Sequence, residues 1–371
     1  MTEPAEFQLT VHQRDPAALA EAIGTWLPTV LGADGAVRVS DVDVPQGAGM
    51  SSVTVLFTAA WSRDGASEER RLVARMAPDP GSFPVFPEYD LERQAAVLRA
   101  VGAGTDVPVP EVVGLESTGA VLGAPFIVMN AVAGRTPSDN PPYVFGGWLL
   151  DAAPSERRAL QDRTVEVIAG IHALPGPESV LPELVSPDTL RDHVVRERAY
   201  YEWTRADDGI TIPVLDRASD WLEDNWPAEV SPSGLIWGDA RPGNVLYDGF
   251  EPCAVLDWEM TALGPPEVDL GWIVFIHCFF QDIAKVFELP GLPDFCRPDD
   301  VVATYERASG RRVQDLYWYI VYAALRHGIV MSRVKRRMIH FGEEQRPEQP
   351  DDYVMHAAAL DALIEGTYTW D

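Results

Sequence analysis

The sequence predicts an α+β protein of two lobes, an N-terminal antiparallel sheet plus helix followed by a mostly helical C-terminal lobe. Three observations carry this reading. Apolar and polar residues alternate in short runs before residue 132, the period of half-buried strands. A Pro/Asn-rich run, 136–143 (TPSDNPPY), then interrupts the chain as a linker. Beyond it, apolar residues recur mainly at helical spacing. The expected lobes are therefore 1–135 and 136–371.

Length and charge bound the possibilities. A chain of 371 residues with 46% hydrophobic content can fill two lobes. Its net charge of −28 would repel nucleic-acid phosphates and anionic membranes, so neither is an expected partner. An acidic surface suits a cationic substrate, but it serves solubility equally well. Cys253, Cys278 and Cys296 show no metal-ligand spacing and cannot all pair with one another. They read as buried, reduced thiols of a cytoplasmic protein. The first ten residues, MTEPAEFQLT, lack the basic and apolar regions of a signal peptide. The longest apolar run, near 272–280, contains His277 and is short for a membrane span. No repeat or low-complexity segment is apparent.

In chain order, Asp15-Pro16 marks the start of an amphipathic helix over 17–27. Residues 37–44 alternate as a strand, with a slip at Ser40-Asp41 that suggests a bulge. A small-residue loop containing Gly47, Ala48, Gly49 and Ser51 leads into a second strand over 53–58. Residues 71–76 make a third strand, and 87–102 a helix carrying Glu88, Glu92 and Gln94. Prolines at 108 and 110 mark the entry to the next strands, and 122–132 reads as the last strand of the first lobe.

The second lobe opens with helices over 155–174, 189–205 and 214–225. His172 lies at the end of the first and reads as structural. Tyr200, Tyr201 and Trp203 form an aromatic stripe on the second, more often a sign of core packing than of a substrate wall. Helices are expected again over 270–280, 297–309, 314–335 and 352–367. Arg333, Lys335, Arg336 and Arg337 favour the dipole at the end of a helix and read as a solvated face.

The chain is organised around residues 234–272. Short apolar strands at 235–237 and 255–256 each deliver polar residues into a loop, with a third run at 245–247 and a turn at Asp248-Gly249 between them. The first loop carries Asp239 and, five residues on, Asn244; the second opens with Asp257. Metal-assisted phosphoryl transfer needs such a set. One carboxylate orients an attacking hydroxyl and takes its proton, while an amide oxygen and a second carboxylate hold Mg²⁺. Mg²⁺ accepts a few hard oxygen donors, so Asn plus Asp suffices. A lone D-x-x-x-x-N is an ordinary capped loop; the whole constellation is more specific.

That constellation resembles the aminoglycoside phosphotransferase and choline kinase family, whose motifs are H-G-D-x-x-x-x-N and I-D-W/F-E. Here they stand as Trp237-Gly238-Asp239 with Asn244, and as Leu256-Asp257-Trp258-Glu259. The resemblance implies a protein-kinase-like fold and ATP-dependent, Mg²⁺-dependent phosphorylation of a small-molecule hydroxyl. Asp239 would be catalytic, Arg241 would steady phosphate or acceptor, and Asn244 and Asp257 would hold the metal. It also places Gly47, Ala48, Gly49, Ser51 and Arg75 on the nucleotide phosphates, and the backbone of Met129 and Ala131 at adenine. Arg75 reads equally as an exposed strand residue.

Three positions depart from the family pattern. Trp237 replaces His, Pro265 replaces the first Asp of G-D-P-x-x-D-L, and Gln94 falls where a Glu usually pairs with the phosphate-binding Lys. Asp269 is expected to cap the following helix and tie down the metal loop. Three functions stay open: a kinase of an aminoglycoside-like amino sugar, a kinase of hydroxyacyl or other small alcohols, and a nucleotide-binding member impaired in catalysis. The oligomeric state is not legible.

Overall fold

The computed structural model describes residues 15–45, 52–78 and 80–370. The chain divides into two compact units, 1–99 with 110–131 and 100–109 with 132–371. The loop residues Gly47, Ala48, Gly49 and Ser51 lie outside the described residues.

In the first unit, α1 (Pro16–Leu31) starts where Asp15 accepts the Ala17 N–H at 3.0 Å. Leu19, Ile23, Leu27 and Leu31 bury one stripe of it, each contributing about 1.5–3 kcal/mol. The helix outlasts the expected end at 27 because Leu31 extends that stripe, and Gly32 then stops it in the left-handed region. Strands β1 (Arg38–Asp43), β2 (Val53–Arg63), β3 (Ala66–Met76), β4 (Val112–Glu116) and β5 (Phe126–Asn130) form one antiparallel sheet, ordered β1-β2-β3-β5-β4.

The slip in β1 is a register shift between Ser40 and Asp43, with Asp41 at φ 51°. Strands β2 and β3 run well past the expected 53–58 and 71–76. Their outer halves carry charged residues, including the Glu68 pairs with Arg63 and Arg70, so they look like loop in sequence. Val55, Phe57, Ala59 and Trp61 alternate inward to meet α1 in one core. Helix α2 (Leu91–Gly104) begins later than 87, because Asp90 accepts the Arg93 N–H at 2.8 Å and sets the start.

The second unit holds α3 (Pro154–His172), α4 (Thr189–Arg205), α5 (Pro213–Asp224), β6 (Gly234–Ile236), β7 (Val245–Asp248), β8 (Glu251–Val255), β9 (Ala262–Gly264), α6 (Glu267–Val286), α7 (Pro298–Ser309), α8 (Leu316–His340) and α9 (Ala357–Ile364). β6 pairs with β9 and β7 with β8, both antiparallel. The expected closing helix 352–367 resolves into a short 3-10 turn and α9. Among the described residues no helix is long and apolar enough to cross a membrane.

Two surface readings are corrected. Arg333, Arg336 and Arg337 are buried rather than solvated. Arg333 pairs with Asp207 and lies 4.1 Å over the Trp203 ring, and Arg336 bonds Asp208 at 3.1 Å. The acidic residues just after α4 convert an apparent basic patch into a clamp. The thiols are free as expected, but only Cys296 is fully buried. The aromatic stripe is split: Tyr201 is core, its hydroxyl accepting the Ile212 N–H, while Tyr200 and Trp203 stack half-buried.

Candidate functional site

The site in the second unit is built from two chain reversals. After β6, Gly238 adopts φ 91°, and a Cβ there would meet the Met260 carbonyl oxygen at 2.1 Å. Only glycine allows this approach. The turn delivers Asp239, and a 3-10 turn at Pro242–Asn244 brings Asn244 back beneath it. Asn244 Nδ2 donates to Asp239 Oδ2 at 2.6 Å and to the Asp239 carbonyl at 3.1 Å. The five-residue spacing therefore closes a loop. With its nitrogen committed, the amide leaves its oxygen as a hard donor.

The second reversal follows β8. Leu256 N–H donates to the Asn244 carbonyl at 2.8 Å, and Asp257 takes φ 58°. Trp237, wholly buried, shares its indole N–H between the Leu256 and Asp257 carbonyls at 2.9 and 3.0 Å. It thus joins the two loops by hydrogen bonds. An amide oxygen from Asn244 and a carboxylate from Asp257 are hard oxygen donors of the type that Mg²⁺ accepts. Among the described residues no cluster of three or more His, Cys, Asp and Glu is placed to hold a metal ion.

Asp239 is 14% exposed and held by three donors. Oδ1 accepts from Trp272 Nε1 at 2.7 Å and Arg241 Nε at 2.9 Å, while Oδ2 accepts from Asn244. Arg241 also pairs with Asp139. Burial alone would lower its pKa, but the carboxylates of Asp239 and Asp139 prevail and raise it. Gly243 makes room for this, since a Cβ there would lie 2.5 Å from Asp139 Oδ1.

Asp269 does not cap α6, which has no side-chain cap at its start. It is completely buried, and its carboxylate accepts the Trp237 and Gly238 N–H groups at 2.7 and 2.8 Å. It ties down the loop of Asp239, not that of Asp257. His172 Nε2 meets the same carboxylate at 2.9 Å and Nδ1 meets Tyr305 Oη at 3.0 Å. His172 thus braces the network from behind and does not touch Asp239.

The remaining sequence candidates lie in the first unit. Arg75 sits on β3 opposite Thr54 and Ile127. Gln94 is buried on α2, and Glu92 is exposed in its first turn. Met129 pairs within the sheet opposite Val73 and Val112, and the Ala131 N–H already donates to the Arg71 carbonyl at 3.0 Å.

Sequence reasoning missed Asp139 and Trp272. Trp272 had a signal: it follows Asp269 by three residues on one helix, so the two share a face. Asp139, inside a proline-rich linker, had none.

Comparisons with known proteins accord with this geometry. A family model described as "Phosphotransferase enzyme family" matches residues 51–310. The Arabidopsis thaliana protein named "Probable acyl-CoA dehydrogenase" is 27% identical over 308 residues, 79% of this chain. This chain spans only 36% of that relative's length, and still smaller shares of further acyl-CoA dehydrogenase family members that it matches. A solved chain from Ralstonia eutropha JMP134, carrying a provisional aminoglycoside phosphotransferase assignment, superposes with a TM-score of 0.64 at 23% identity, covering 94% of this chain and 97% of that one. An aminoglycoside phosphotransferase in ternary complex with AMP-PNP and hygromycin B gives a TM-score of 0.56 at 18% identity, covering 93% and 98%. At such identities the structural likeness speaks to the fold, which is the kinase-like α+β fold the sequence predicted.

Proposed function

The chain belongs to the phosphotransferase enzyme family, and on that premise we propose that it transfers the γ-phosphate of ATP to a hydroxyl of a small molecule. The observation that carries the proposal is the closed arrangement of Asp239, Asn244 and the Asp257 loop. Asp239, held by Trp272, Arg241 and Asn244, takes the proton of the acceptor hydroxyl as its oxygen attacks the γ-phosphorus. The bond from that phosphorus to the β-γ bridging oxygen breaks and ADP leaves. Mg²⁺, when bound, neutralises the triphosphate charge. Asn244 Oδ1 and the Asp257 carboxylate are the residues to hold it. Arg241 steadies the transferred phosphoryl group, exchanging one of its two carboxylate partners for it.

The nucleotide contacts are assigned to residues 1–135 and the catalytic and metal loops to 136–371. Gly47, Ala48, Gly49, Ser51 and Arg75 take the phosphates, and the backbone at Met129 and Ala131 takes the adenine.

Two acceptor classes are carried forward. An aminoglycoside-like amino sugar follows from the structural relative that binds hygromycin B. A hydroxyacyl or other small alcohol follows from the acyl-CoA dehydrogenase relatives. An ATP-consumption screen over amino sugars, hydroxy acids, hydroxyacyl thioesters and choline-like alcohols, with Asp239→Asn as control, decides between them. Binding of ATP with no turnover on any acceptor would instead identify a nucleotide-binding member impaired in catalysis.

A further inference from the structure

Trp272, which holds Asp239 Oδ1, itself lies against a buried cation. Arg326 of α8 is 1% exposed. Its guanidinium carbon lies 4.7 Å from the Trp272 ring centroid and 5.8 Å from that of Tyr322. Nε donates to Glu197 Oε1 at 3.2 Å, and Nη2 reaches the Gly238 carbonyl at 3.4 Å. Among the described residues Nη1 has no hydrogen-bond partner.

A buried guanidinium with one carboxylate and an unsatisfied N–H is a poor way to fill space. An apolar side chain of the same volume would pack there without the cost of desolvating a charge. An apolar residue could not do two things. It could not hold the Gly238 carbonyl, whose residue makes the left-handed turn into Asp239. Nor could it place a positive charge over the Trp272 indole, which draws electron density from the ring and makes its N–H a stronger donor. The 2.7 Å contact from that N–H to Asp239 Oδ1 is at the short end for a nitrogen donor.

We propose that Arg326 is a positioning residue for Asp239, acting through the Gly238 carbonyl and the Trp272 indole. The inference rests on the reading of Asp239 as the catalytic carboxylate. It does not involve contact between Arg326 and substrate. Glu197 neutralises the cation and fixes its fork, and the i, i+3 relation of Asp269 and Trp272 on α6 brings two supports to one loop.

The test uses the full chain with Arg326→Met, Arg326→Lys, Asp239→Asn and Trp272→Phe. One readout is the indole ¹⁵N–¹H resonance of Trp272 in tryptophan-labelled protein, identified by its loss in Trp272→Phe. The other is kcat and KM for ATP with whichever acceptor the screen returns. Arg326→Met should move the resonance in the direction that Asp239→Asn moves it. It should lower kcat by about 10–100-fold with KM for ATP within about twofold of wild type. Arg326→Lys keeps the charge but cannot span Glu197 and Gly238 together, so it should recover part of both. An unmoved resonance and an unchanged kcat in a folded Arg326→Met protein would overturn the proposal. Should that variant fail to fold, wild-type values for both readouts in Arg326→Lys would overturn it equally. If the wild-type chain turns over no acceptor, the phosphotransferase reading fails, while the resonance still decides whether Arg326 acts on the Trp272–Asp239 contact.

Discussion

The Asp269 carboxylate accepts the backbone N–H of Trp237 at 2.7 Å, joining α6 to the end of β6 across 32 residues of chain. Its second oxygen takes the Gly238 N–H, and His172 closes the set from α3. The loop that presents Asp239 is thus suspended from a buried carboxylate. Replacing Asp269 by Asn puts an amide NH₂ against one of two backbone donors and removes a charge-assisted bond. We expect about 2–3 kcal/mol less stability in denaturant titrations, together with loss of turnover.

Asp239→Asn keeps the side-chain shape but cannot accept a proton. Turnover should fall by about 10²–10⁴-fold, while ATP affinity measured by calorimetry stays within a few-fold. Unchanged turnover would remove Asp239 from the chemistry.

Asp257→Ala and Asn244→Ala each delete one oxygen donor of the pair. Both should abolish the gain in ATP affinity that Mg²⁺ confers, and leave affinity without Mg²⁺ little altered. Titrations with and without the metal check this. A variant that retains the gain would place the metal elsewhere.

Trp237 stands where the family pattern has His, and its indole N–H bridges the Leu256 and Asp257 carbonyls. Trp237→Phe retains much of the packing but strands both oxygens. The expected cost is about 1–3 kcal/mol of stability, with weaker Mg²⁺ dependence because the Asp257 loop loses its tether. Thermal melting with and without Mg²⁺ measures both effects.

Stability should fall on mild acidification. Burial lowers His277 and His356 from 6.5 to about 4, against the opposing bonds to the Leu292 and Ala324 carbonyls. Burial also holds His193 and His327 well below their usual value. For each, the unfolded chain binds the proton more readily than the folded one. Stability is therefore complete above pH 6.5 and is lost as pH falls toward 4. Each of His277 and His356 contributes up to about 3 kcal/mol across that window. Denaturation midpoints between pH 7.5 and 4.5 should drop steeply, and a flat profile would contradict the burial argument.

The local features of this protein were legible in its sequence because short-range sterics and periodicity impose them. Asp15-Pro16 sets a helix start, the alternating residues of β2 form a strand, α4 falls at 189–205, and the slip at Ser40-Asp41 is a bulge. The loop positions of Asp239, Asn244 and Asp257 were legible because a five-residue loop and a strand end fix their spacing. Tertiary packing alone decided the rest. The charged outer halves of β2 and β3 pair through partners distant from the apolar signal. Arg333 and Arg336 of α8 are buried because Asp207 and Asp208 come to meet them. Asp139, Trp272, His172 and Arg326 act on Asp239 or its loop across tens to more than a hundred residues of chain, and such contacts depend on how helices pack, which no local pattern encodes.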